Sequence, residues 1–241
     1  MALNLPIYLD HNATTPVHHK VLETMLPYFT QHYGNAASTT HRQGWVAADA
    51  IDHARKQVAT AVGCEPAELV FMGGATEAIN LAVKGVFQRY HKKGQHFITA
   101  ATEHKAGLDA FAAIEKQGAE VTYLPVDEQG LISIDDLQTA LRSDTVMVSI
   151  MLANNETGVI QPIAEIAEMV HSKGAIMMSD ATQALGKIPL EVNELGIDLM
   201  PLSAHKFYGP KGVGALFVRR KKPRVSLEPL IVGGGHERGL R

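Results

Sequence analysis

A chain of 241 residues, 46% hydrophobic and 20% charged with a formal net charge of −3, has room for one large α/β domain or two small ones. The slightly acidic balance gives no general attraction to nucleic acid, and no apolar run approaches the ~20 residues of a membrane span. The start, Met1 to Pro6, lacks the basic-then-apolar pattern of a secretory signal, so a cytoplasmic location is expected.

Taken in chain order, residues 17–30 read as a helix with Val17, Val21, Met25 and Phe29 on one face, kinked or ended by Pro27. A small-residue loop from Gly34 to Thr40 leads into a long amphipathic helix over 41–62. Its expected buried stripe is Val46, Ala50, Ala54, Val58 and Ala61, and Gly63 is its stop. Strands are expected at 69–72, 96–100, 119–124, 145–151 and 175–179, with helices at 75–92, 104–117, 134–142 and 162–173 between them. Further strands are expected at 198–202, 213–218 and 225–231. This alternation predicts an α/β fold, a mainly parallel sheet with helices on both faces. The basic run Arg219 to Arg224 has no interleaved aromatics and reads as a solvated turn rather than a nucleic-acid patch.

A single cysteine, Cys64, excludes an intrachain disulfide and a cysteine-based zinc cluster. It follows the expected helix stop and precedes Glu65-Pro66, a place where nothing stabilises a thiolate, so it reads as structural. The twelve histidines are scattered without a ligand pattern, and no metal site is expected.

The chemistry concentrates at the expected strand ends. Lys206 stands after the apolar run Ile197–Leu202 and before a glycine-rich turn, where lost hydration lowers an amine's pKa and makes it a nucleophile. Ser203 and His205 lie just ahead of it and can hold an anion, as pyridoxal phosphate requires of its lysine site. Asp180 ends a short buried strand, a position that faces the ligand crevice of open α/β sheets. There it can pair with a protonated pyridine nitrogen, while Gln183 can donate to the ring phenolate oxygen; a helix N-cap is the plainer reading of Asp180. Gly73-Gly74-Ala75-Thr76-Glu77 joins a strand to a helix start, which favours an anion, although an ordinary N-cap fits the same residues. His104 opens the next helix and is either a cap or a ring-stacking acid–base group. Asn155 sits in a tight loop that by itself is only a turn.

Six segments nevertheless occur in the order seen in cysteine desulfurases. They are Tyr8–Pro16, Gly73–Asn80, Thr102–Lys105, Asn154–Gly158, Asp180–Gln183 and Ser203–Lys206. The chain resembles these fold-type I, class V aminotransferase-like enzymes from about residue 6 to its last residue, most of all the group that supplies sulfur for iron–sulfur clusters. The resemblance implies pyridoxal 5′-phosphate as cofactor, with Lys206 and His104 catalytic. It places Ala75, Thr76, Ser203 and His205 at the phosphate and Asp180, Gln183, His104 and Asn155 around the ring. It implies L-cysteine as substrate, a homodimer, and sulfur-acceptor or cluster-scaffold proteins as partners. Residues 16–241 correspond to the cofactor-binding large domain, and residues 1–15 to a segment packed on a small C-terminal domain. The persulfide-forming cysteine and the arginine that grips the substrate carboxylate have no counterpart among these residues. A selenocysteine lyase, another class V enzyme and a non-catalytic cofactor-binding fragment are the alternatives.

Overall fold

The computed structural model describes residues 6–241, so Met1 to Leu5 of the N-terminal segment 1–15 lie outside the described residues. The strands are β1 (Leu69–Met72), β2 (His96–Ala100), β3 (Glu120–Leu124), β4 (Thr145–Ser149), β5 (Ile176–Met178), β6 (Leu199–Ser203) and β7 (Gly214–Val218). The main helices are α1 (His19–Thr30), α2 (Arg42–Val62), α3 (Ala75–Tyr90), α4 (Lys105–Glu115), α5 (Ile134–Ala140) and α6 (Ile163–Ser172). The seven strands form one sheet in the order β1-β7-β6-β5-β4-β2-β3. Strands β2 to β6 pair in parallel, and β7 runs antiparallel to both of its neighbours, β1 and β6.

Every residue of β2, β4, β6 and β7 is buried, which explains their continuous apolar runs where alternation would mark a half-exposed strand. One core packs α2, α5 and α6 on one face of the sheet through Ala59, Val62, Leu137, Ile163 and Val170. A second core packs α3 and α4 on the other face through Ala78, Leu81, Val86, Phe111 and Ile114. The polar residues inside the strands bond to one another: His96 reaches Thr145 at 2.8 Å and Thr122 at 2.9 Å, crossing from β2 to both neighbouring strands.

Three expectations are corrected. Residues 225–231 form no strand, because β7 already has a partner on each side and offers no free edge. Val225 and Leu227 are still buried, held by backbone bonds from Val225 to Arg219 and from Glu228 to Gly85. The buried stripe of α2 is Gly44, Ala47, Ala59 and Val62, whereas Ala61 is exposed; an alanine-rich helix fits two adjacent stripes, and packing chooses between them. No residue of α1 is buried, and Pro27 lies inside that helix without ending it.

Candidate functional site

The turns after β1, β2, β4, β5 and β6 meet in one crevice at the end of the sheet. A cavity of about 650 Å³ opens there, and all nine residues expected from the sequence line it: Ala75, Thr76, His104, Asn155, Asp180, Gln183, Ser203, His205 and Lys206. Strands β5 and β6 are neighbours, which sets Asp180 and Lys206 side by side.

At one end lies the N-terminus of α3. No side chain caps it, so its first-turn amides remain free to donate to an anion. Glu77 turns back to accept the Gly73 amide at 2.5 Å, a bond ahead of the N-cap Gly74 that leaves the first-turn amides uncovered. Gly74 has a φ of 151°, which favours glycine. A Cβ on Gly214 would fall 2.5 Å from the Leu202 carbonyl oxygen and 2.7 Å from Gly74 Cα, so glycine is required where β7 passes this turn. That close approach brings Ser203 beside the helix start. Burial, with the Lys206 and Lys211 charges, holds His205 below the usual histidine range, leaving a neutral ring whose Nδ1 lies 3.0 Å from Thr14 Oγ1.

The other end carries the ionisable pair. Asp180 is 5% exposed, and its Oδ1 accepts the Thr182 amide at 2.8 Å, a local cap without a following helix. Burial pushes this carboxyl up, against the pull of Thr182, His104 and Lys206. Burial, together with the nearby Lys187 charge, lowers the Lys206 ammonium, although Asp10 and Asp180 pull the other way. His104 caps α4 by accepting the Ala106 amide on Nδ1 at 3.1 Å, which leaves Nε2 as the proton-bearing nitrogen of the neutral ring. The cap and the acid–base readings of this histidine are therefore compatible. Asn154 takes the turn role through bonds to Thr102, Glu156 and Thr157, and Asn155 beside it faces the cavity.

Gln183 departs from expectation: its amide donates to the Asn12 carbonyl at 2.9 Å, and its oxygen accepts Lys187 at 2.6 Å. Sequence reasoning gave no role to Glu103, Thr182 or Lys187. Glu103 alone left a signal, an acid three residues past a buried strand and next to His104. Cys64 is half-buried, does not line the cavity, and has its thiol pushed up to about 12, mainly by burial. The described residues contain no cluster able to hold a metal ion, and no helix among them is long and apolar enough to cross a membrane.

Residues 7–239 match the class V aminotransferase family. The chain belongs to that family. It is 54% identical to cysteine desulfurase IscS of Pectobacterium carotovorum subsp. carotovorum (strain PC1) over 241 residues, and 53% identical to that of Escherichia coli O139:H28 (strain E24377A / ETEC). Each alignment takes in 99% of this chain and 59% of the relative, so the chain spans about 59% of the length of these curated relatives. Among solved structures, a NifS-like protein superposes with a TM-score of 0.93 at 41% identity, covering 98% of this chain and 64% of that one. SspA in complex with cysteine superposes at 0.92 and 40% identity, covering 97% of this chain and 67% of its own. The fold is therefore the large-domain architecture of a class V aminotransferase.

Proposed function

We propose that the cavity binds pyridoxal 5′-phosphate and serves a cysteine desulfurase, which takes sulfur from L-cysteine and leaves L-alanine. The observation that carries the reading is a buried carboxyl, Asp180, that makes no ion pair among the described residues, set beside a lysine, Lys206, and facing the uncapped start of α3. This donor set fits the cofactor: Asp180 would hold a pyridinium, the free amides of α3 with Thr76, Ser203 and His205 would hold a phosphate, and Lys206 would offer its amine to an aldehyde. Thr182 Oγ1 is buried at this cavity beside the Asp180 carboxyl, a further polar atom that a ligand can reach. When bound, pyridoxal phosphate withdraws electrons from the carbon that bears the substrate amine.

The chain's own residues then have distinct tasks. Asp180 holds positive charge at the ring end. Lys206, with its lowered pKa, attaches the cofactor and later carries a proton to or from the substrate. His104, its ring set by the α4 cap, presents Nε2–H as a second proton carrier. Asn155 offers an amide to the substrate carboxylate or the ring oxygen. Cys64 does not accept the sulfur, since its thiol is neutral and outside the cavity. The reading extends to a homodimer in the cytoplasm that feeds sulfur-acceptor or scaffold proteins for iron–sulfur cluster assembly. In it residues 16–241 are the large domain, and residues 1–15 also pack on a second, smaller one.

The test is chemical trapping. Protein mixed with pyridoxal phosphate should turn yellow, and borohydride should fix the label on one peptide containing Lys206. Label spread over surface lysines such as Lys92 and Lys221 would overturn the assignment. Alanine formation from L-cysteine against L-selenocysteine then separates a desulfurase from a selenocysteine lyase.

A further inference from the structure

We propose that Glu103 is a positioning residue that locks the turn carrying His104 onto the loop carrying Asn155. What those two side chains hold rests on the cofactor reading above; the lock itself rests on geometry. Glu103 leaves the end of β2 with 7% exposure, and its Oε1 accepts the Met151 amide at 2.6 Å. Asn154 makes a second rung between the same two segments, donating from Nδ2 to the Thr102 carbonyl at 2.9 Å. The two rungs cross in opposite directions: one side chain reaches from the His104 turn to the loop, the other from the loop to the turn. Gly107 packs beneath Glu103, where even a Cβ would sit at an ordinary 3.7 Å contact from Glu103 Cβ. The His104 ring is thus fixed from both sides, by its α4 cap and by the clamp on the residue before it.

The surroundings of Glu103 favour the neutral acid. Burial drives its carboxyl well above the usual range, and the bond from Met151 does not reverse this. Asp180, on the turn after β5, is the charged group that acts on it, and it acts in the same direction as burial. His104 and Lys105 adjoin it in sequence, and no cation pairs with it among the described residues. A neutral clamp leaves the ionised form of Asp180 without a second negative charge beside it.

The experiment compares the wild-type protein with Glu103→Gln, which keeps a neutral acceptor, and Glu103→Leu, which fills the space without one. In cofactor-free protein, the His104 Cε1–H resonance, identified by its loss in His104→Gln, should stay in place in E103Q and move toward the free-histidine value in E103L. Pyridoxal phosphate affinity should be held within about threefold in E103Q and fall at least about tenfold in E103L. As pH rises above the ordinary carboxylate range, the thermal midpoint of E103Q should rise relative to wild type, because the native protein favours protonated Glu103 more than the unfolded chain does. An unmoved His104 signal in E103L overturns the lock, and an E103Q midpoint that falls relative to wild type overturns the neutral form. Failure of wild type to bind pyridoxal phosphate would sink the cofactor reading and leave the resonance test standing.

Discussion

Lys206 Nζ donates to the backbone carbonyl of Asn12 at 2.5 Å, and the same oxygen accepts the Gln183 amide at 2.9 Å. A second bond runs from Lys206 to the Ala13 carbonyl at 3.1 Å. The segment from Asn12 to Thr15 thereby crosses the cavity mouth. It is fastened to the Lys206 turn by Thr15, whose amide and hydroxyl both donate to the His205 carbonyl at 2.9 Å. The Thr15 hydroxyl also accepts the Tyr208 amide at 2.8 Å.

Attachment of a cofactor uses the lysine lone pair, which the two carbonyl contacts oppose by favouring the ammonium. Thr15→Val removes both hydroxyl bonds, keeps only the backbone bond to His205, and leaves the Tyr208 amide without its partner. We expect a loss of about 1–3 kcal/mol of stability in urea titration. The rise of the pyridoxal phosphate absorbance in stopped-flow mixing should be faster than in wild type. A slower rise would show that this segment aids attachment rather than opposing it.

Asp180 should show opposite effects on stability and on binding. Its folded pKa is raised, so the stability it contributes is complete below the unfolded value, roughly 3.9, and is lost as pH rises toward the folded value. Asp180→Asn should therefore raise the thermal midpoint of cofactor-free protein at pH 7. The same change leaves a pyridinium unpaired and should weaken pyridoxal phosphate binding by about 3–5 kcal/mol, measured by equilibrium dialysis. A destabilised variant with unchanged affinity would return Asp180 to a purely local cap.

The sequence was most legible where one local rule acted alone. Gly63 stops α2 in the left-handed conformation, and the apolar runs of β2 and β4 are buried from end to end. It was least legible where a neighbour decided the outcome. Val225 and Leu227 alternate like a strand, yet both sides of β7 are already paired. Lys206 and Asp180 stood out because each follows a buried strand, whereas Glu103 drew no notice, its partner Met151 being 48 positions away. The bond that ties up the Gln183 amide goes to the Asn12 carbonyl, 171 residues earlier, and no local pattern reports such a contact.

His96 should make the sheet sensitive to acid. Its ring bridges β4 and β3 through Thr145 and Thr122, and burial together with Arg142 lowers its pKa. The native state thus holds it neutral while the unfolded chain takes up a proton near the ordinary value, about 6.5. Its contribution to stability is complete above that pH, begins to fall as pH drops through it, and is gone below the lowered folded value. His96→Gln should be less stable than wild type at pH 8, and the two urea midpoints should converge toward pH 5. Parallel midpoints across that range would show that the ring protonates freely in the fold.

Gly214 ties the packing of β7 to the anion end of the cavity. Two obstacles face a methyl group there, the Leu202 carbonyl oxygen at 2.5 Å and Gly74 Cα at 2.7 Å, and both belong to backbone that cannot rotate away. Gly214→Ala must push β7 from β6 or from the turn before α3, and either shift separates Ser203 from the helix start. We expect about 1–3 kcal/mol of destabilisation from overpacking and a weaker hold on inorganic phosphate, read by its protection of the thermal midpoint. Gly212, two residues earlier, is the control. It has a φ of 81° and open space around its missing Cβ, so Gly212→Ala strains only its own backbone. Its stability should fall by about 1–3 kcal/mol as well, while phosphate protection remains. Equal loss of phosphate protection in both variants would mean that general destabilisation, not the close approach of β7 to Gly74, governs the anion end.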